Sequence, residues 1–190
     1  MDDELSQLLA LGNFPPAVSR VLHHAKPAVS EQEMTAAFDR LAVRLTALAQ
    51  DSDPVLLSVL PGASYLCGAL MSRMIFPLEL AFAAVDPTLP SQEEWVLAGA
   101  VPSLSGRLVI LCDDGLTPAS SLEALADLLM ARGAVDLWRC ATVAPSADDT
   151  NTSGRFSRTL AAVTGDPQNF FGCGLDCQGY CRNLPGLYWR

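Results

Sequence analysis

Leu108-Val-Ile-Leu-Cys-Asp113-Asp114-Gly-Leu-Thr117-Pro118-Ala119-Ser120-Ser121-Leu122 is the stretch that decides the fold. An apolar run leads into two adjacent acids, a turn of small residues and the start of a helix. A buried strand that ends this way delivers polar groups to its carboxyl end, where nucleotide-type sites are built in helix-covered sheets. The free N–H groups and the dipole at the helix start favour an anion. On this reading Asp113 and Asp114 accept hydrogen bonds from ligand hydroxyls; the plain alternative is a solvated strand end.

Strands and helices alternate on both sides of this stretch. Val55–Leu60 is a short apolar run, a buried strand, and Pro61-Gly62-Ala63-Ser64 is a turn. Tyr65–Met74 reads as a helix, Leu78–Val85 as a strand, Asp86–Gln92 as a loop and Trp95–Ala100 as a further strand. Leu122, Leu125, Leu128 and Leu129 form a helical stripe that stops at Arg132-Gly133, and Leu137–Val143 is the next strand. The alternation predicts an α/β fold with a mostly parallel sheet flanked by helices. Upstream, residues 1–50 read as helical. Ser30-Glu31-Gln32-Glu33 is a capping box, and Met34, Phe38, Leu41, Leu45 and Leu48 make one apolar stripe ended by Asp51-Ser-Asp-Pro54. Downstream, Pro145–Gly154 reads as a polar loop, Phe170–Leu175 as a late strand and Arg182–Arg190 as a tail packing back. The expected organisation is a single domain over 1–190, with N-terminal helices over 1–52, a core over 53–165 and a small C-terminal hood over 166–190.

The chain has 190 residues, half of them hydrophobic and only 17% charged, so it can bury a substantial core and is not a disordered segment. Its formal net charge of −9 repels phosphate backbones and anionic lipids, which argues against nucleic-acid and membrane-surface partners. Met-Asp-Asp-Glu lacks the basic start and apolar stretch of an export signal, so a cytoplasmic protein with reduced thiols is expected. The apolar run Val55–Phe76 contains Pro61, Gly62, Gly68 and Arg73, which favours strand-turn-helix over a membrane span. Among the six cysteines, Cys173, Cys177 and Cys181 are spaced four apart. On a helix they would share a face and bind a metal; the glycines at 172, 174 and 179 favour small apolar filler instead. His23 and His24 read as a solvated pair, and Trp95, Trp138 and Trp189 as core or interface residues.

Taken in order, Pro-Gly-Ala followed by a helix, Phe76-Pro77-Leu78-Glu79, Gly106-Arg-Leu-Val-Ile-Leu-Cys-Asp113-Asp114, Arg132-Gly133-Ala134, Gly172-Cys-Gly-Leu175-Asp176 and Tyr180-Cys-Arg182-Asn183-Leu184-Pro185 form an ordered set. From about residue 53 to the end this set resembles the hypoxanthine-guanine phosphoribosyltransferases. The resemblance implies a parallel sheet with a small hood, a homodimer, and transfer of ribose 5-phosphate from phosphoribosyl pyrophosphate to a purine with Mg²⁺. It places Asp113 and Asp114 at the ribose, Thr117, Ser120 and Ser121 in the 5-phosphate cradle, and Gly62 and Arg182 at the pyrophosphate. Asp176 would hold Mg²⁺ if the pyrophosphate site is functional, and Phe170 would stack on the purine.

Several positions depart from the family pattern. Thr117 stands where the family has the Asp read as proton acceptor, and its hydroxyl cannot take a proton near neutral pH. Pro118 deletes a phosphate-binding N–H, and Ala119 replaces the usual Gly. Pro61 stands where Lys is common and Ala63 where a second Gly is. The closing loop is replaced by acidic Asp86-Pro-Thr-Leu-Pro-Ser-Gln-Glu-Glu94, and Ala144-Pro145-Ser146-Ala147 lacks the purine-reading Lys. Asn169 takes the stacking position, with Phe170 or Phe171 beside it. These changes imply a weakly active or inactive nucleotide- or phosphate-binding homologue. The alternatives are an active purine salvage enzyme and a purely structural module.

Overall fold

A computed structural model describes residues 3–85, 95–145 and 154–190. Nine strands and five α-helices run in the order α1 (Asp3–Leu11), α2 (Pro16–His24), β1 (Lys26–Val29), α3 (Glu31–Ala49), β2 (Val55–Val59), α4 (Ser64–Met71), β3 (Glu79–Val85), β4 (Trp95–Ala98), β5 (Leu108–Asp113), α5 (Ala119–Ala131), β6 (Asp136–Ala144), β7 (Arg158–Thr164), β8 (Phe170–Phe171) and β9 (Leu187–Trp189), counted among the described residues.

The main sheet has six strands in the order β4-β3-β2-β5-β6-β7. All neighbours are parallel except the edge strand β4, which runs antiparallel to β3. Both central strands, β2 and β5, are buried along their whole length. Their continuous apolar sequence is what a strand covered on both faces requires. From β2 the chain moves through α4 to β3 on one side; from β5 it moves through α5 to β6 on the other. The strand order therefore reverses between β2 and β5. Crossovers of one hand in opposite directions send α4 and α5 to opposite faces and open a crevice at the carboxyl ends of these two strands.

The capping box forms: Glu33 N donates to Ser30 Oγ at 3.3 Å, and Ser30 N donates to Glu33 Oε2 at 2.9 Å. It starts α3, whose Met34, Phe38, Leu41 and Leu45 are buried in the main core, whereas Leu48 is 37% exposed at the helix end.

The structure departs from the sequence reading in four places. Lys26–Val29, inside the stretch read as helical, is a strand antiparallel to β9, with Lys26 opposite Trp189. Its strand state comes from a partner about 160 residues away, which no local pattern announces. β7 is a strand where the sequence reading had none. The late strand is only Phe170–Phe171, because Gly172, Cys173 and Gly174 all take positive φ and break it. α4 ends at Met71 rather than Met74. The loop Asp86–Gln92 and most of Pro145–Gly154 lie outside the described residues. The tail does pack back: β9 is the middle strand of a second sheet, β1-β9-β8.

Candidate functional site

A cavity of about 330 Å³ opens in the crevice at the carboxyl ends of β2 and β5. Val59, Leu60, Pro61 and Gly62 wall it from the β2 side. Asp114, Leu116, Thr117 and Pro118 follow β5, and Ser121 adds the first turn of α5. Asp176 and Arg182 close it from the C-terminal segment, and Trp95 from β4.

The two adjacent acids have different fates. Asp113 ends β5 with no exposed surface, and its carboxylate pairs with Arg139 of β6, whose Nε lies 3.1 Å from Oδ2. Thr117 Oγ1 donates to the other Asp113 oxygen at 2.6 Å. Asp113 is thus held behind the turn rather than on the cavity wall. Asp114 reaches the cavity while remaining 7% exposed. Its Oδ1 accepts from Leu116 N at 2.8 Å, which fixes the turn, and its Oδ2 lies 3.3 Å from Arg182 Nη1. Burial, reinforced by the Asp113 charge, pushes the Asp114 carboxyl up to about 6; the Leu116 N–H and Arg182 oppose the shift.

Arg182 ties the site together. Nη1 donates to Gly174 O at 2.6 Å, and Nη2 lies 3.0 Å from Asp176 Oδ1. Asp176 Oδ2 accepts from Gly179 N at 2.6 Å. The C-terminal segment can close this tightly because Gly62 has no side chain: a Cβ there would sit 1.9 Å from Asp114 Oδ2. From the other direction, a Cβ on Gly174 would sit 2.2 Å from Gly62 O, at a φ of +100°.

The phosphoribosyl transferase domain family matches over residues 29–176. The chain belongs to that family. A Staphylococcus aureus hypoxanthine phosphoribosyltransferase superposes with a TM-score of 0.69 at 20% identity, over 85% of this chain and 90% of that one. A Bacillus anthracis hypoxanthine-guanine phosphoribosyltransferase gives 0.69 at 18% identity, over 86% and 96%. A Trypanosoma cruzi hypoxanthine phosphoribosyl transferase gives 0.69 at 18%, over 86% and 90%. No curated protein matches the chain.

Within this phosphoribosyl transferase fold the expected site residues divide. Asp114, Thr117, Ser121, Gly62, Asp176 and Arg182 meet around one cavity. Asp113 lies behind it, and Ser120 is exposed off its wall. Phe170 is buried in the main core, with its ring 4.5 Å from that of Trp189, and does not line the cavity. The aromatic ring on the wall is Trp95, whose Nε1 donates to Ser121 O at 2.7 Å. Sequence reasoning assigned it to core or interface. The available signal was its place at the start of an antiparallel edge strand: pairing with Val85 brings Trp95 back to the carboxyl end of β3. Pro118 caps α5 with no side-chain hydrogen bond and offers no N–H, and Ala119 begins the helix. The three cysteines near the C-terminus lie on no helix; all are buried, and Cys173 and Cys181 take positive φ. Among the described residues there is no cluster of three or more metal-type side chains and no helix long and apolar enough to cross a membrane.

A Mg²⁺ ion takes one or two carboxylates, several waters and substrate phosphates. Asp176 can supply one carboxylate, already shared between Arg182 and Gly179. That donor set fits a hydrated ion completed by a pyrophosphate, and little else.

Proposed function

We propose that this protein is a hypoxanthine-guanine phosphoribosyltransferase-like homologue whose catalytic and phosphate-binding loop has eroded. It acts as a weakly active or inactive nucleotide- or phosphate-binding, regulatory protein in the cytoplasm, as a homodimer. The observation that carries the reading is the state of Thr117. It is a neutral hydroxyl, it donates its hydrogen bond to Asp113, and it precedes a proline that has no N–H to offer. A general acid–base group is worth about 10²–10⁴ in rate, and an oriented anion cradle adds to that loss. On this reading Asp176 holds Mg²⁺ only together with phosphoribosyl pyrophosphate. Bound there, the ion would neutralise developing charge on the leaving pyrophosphate.

A second reading rests on Asp114. A buried carboxyl pushed up to about 6 is poised to move protons near neutral pH, as an active purine salvage transferase would need. Steady-state assay with phosphoribosyl pyrophosphate, Mg²⁺ and hypoxanthine, guanine or xanthine separates the two. The first reading expects turnover below about 0.1 s⁻¹, against an ordinary enzyme's 10 s⁻¹ or so. Turnover near ordinary rates that Asp114→Asn abolishes would establish the second reading and end the first.

A further inference from the structure

We infer that the groove between α3 and the connection from α4 to β3 is the face through which two copies of this chain pair about a two-fold axis. This rests on the homodimer proposed above and gives it an interface.

The groove shares no lining residue with the candidate site. It measures about 590 Å³, with Ala42, Val43, Thr46 and Ala47 of α3 along one side and Ile75 on the other. These α3 positions recur every three or four residues, so they form a second face beside the core stripe of Met34, Phe38, Leu41 and Leu45. A helix face turned to water is ordinarily polar; this one is not. Val43 is 68% exposed and Ile75 97%, the highest value for a large apolar side chain among the described residues. Single exposed apolar residues are ordinary, but two on the rim of one apolar groove mark an interaction surface. The shape is self-complementary. An almost fully exposed side chain stands on the rim of a groove, so a two-fold axis beside that rim puts the Ile75 of each copy into the groove of the other.

Charge points to a second copy as the occupant. The net charge of −9 opposes self-association over the chain as a whole. The groove is neutral, because its lining carries one anion, Asp39, and one cation, Arg73, among the described residues. Arg73 Nε lies 2.6 Å from Asp39 Oδ1. The cation is held in place: Nη1 donates to Ala69 O at 2.8 Å, and the guanidinium carbon lies 6.0 Å from the centre of the Phe38 ring. The Asp39 side chain is still 60% exposed, so its carboxylate can accept from a second guanidinium. About a two-fold axis each Arg73 meets the partner's Asp39, and the four charges alternate in sign. A strongly acidic or strongly basic partner finds no such match, whereas a second copy presents the same pattern reversed.

The test is sedimentation equilibrium of the full chain and its variants. The wild type should sediment at twice the mass of one chain. Ile75→Asp changes a side chain almost wholly in water, so it should keep the far-UV circular dichroism while raising the dimer Kd at least about tenfold. Charge variants then separate the interface from the ion pair within one chain. Asp39→Arg puts two cations on the face and Arg73→Asp two anions, so each alone should raise the dimer Kd at least about tenfold. Mixed together, the two variants should pair at least about tenfold more tightly than either does with itself, because every charge then meets its opposite across the axis. Contacts inside one chain cannot produce that recovery. A wild-type dimer unmoved by Ile75→Asp, or charge variants that do not recover on mixing, would overturn this face and leave the homodimer standing. A monomeric wild type would overturn both. None of these outcomes bears on the transferase assay, so each reading can fail separately.

Discussion

Asp114 is the residue on which local energetics and site chemistry meet. Its carboxyl is raised from 3.8 to about 6 by burial and by Asp113, while Arg182 and the Leu116 N–H pull the other way and Asp176 lies across Arg182. In the unfolded chain the group returns to its ordinary value. Between about pH 4 and pH 6 the folded protein therefore binds the proton that the unfolded chain has released. Stability from this group is complete below pH 4 and is lost as pH rises through 6. A shift of this size amounts to about 2–3 kcal/mol. Urea unfolding of the wild type and Asp114→Asn at pH 4.5, 5.5, 6.5 and 7.5 measures it. The wild type should lose about 2 kcal/mol relative to the variant across the series, the part of the effect that lies above pH 4.5. A constant difference would show that the carboxylate is as well solvated folded as unfolded. The adjacency of the two acids was plain in the sequence, but their different roles were not. Successive strand residues face opposite ways, so one acid reaches the cavity and the other turns toward a neighbouring strand.

Pairing between β5 and β6 settles what Asp113 does. Leu111 lies opposite Arg139 and Asp113 opposite Ala141, so the arginine sits one step back with its guanidinium within reach of the acid. The carboxylate has no exposed surface, so its charge depends on that partner and on the Thr117 hydroxyl. Removing one member of a buried pair costs about 3–5 kcal/mol, because the other charge is stranded. Arg139→Met should therefore destabilise the protein by that amount at pH 7. Adding Asp113→Asn, which removes the charge left behind, should recover more than half; equilibrium unfolding of the single and double variants reads both. An additive double variant would mean the pair is not coupled. The elements that could be read from sequence were those with a local cause: the Ser30 cap, the α3 stripe, and the buried runs of β2 and β5. β1 and β7 have no such cause. Trp95 and Arg139 escaped notice because their neighbours at the site come from strand pairing, not from nearby sequence.

At the scale of the whole molecule, the first and last strands of the described chain meet in one sheet. β9 lies between β1 and β8, with Tyr188 opposite both Pro27 and Phe171. The Phe171 and Tyr188 rings stack at 5.6 Å, in a second apolar cluster with Val18 and Leu22 of α2. β8 runs directly into Gly172–Asp176, so this small sheet anchors the segment that carries Asp176 against the cavity. Leu187, wholly buried beside the main core, joins the small sheet to the large one. Leu187→Ala removes that link, and a buried Leu→Ala change costs about 2–5 kcal/mol. For a chain of this size each kcal/mol lowers the melting temperature by about 2–4 °C, so a fall of about 4–20 °C is expected. If the small sheet is what anchors the site, amide exchange at Phe171, Leu175 and Tyr188 should quicken together, while β2 and β5 keep their protection. Faster exchange spread evenly over both sheets would instead make the two a single cooperative unit, and the cavity wall would then be only as stable as the core beneath it.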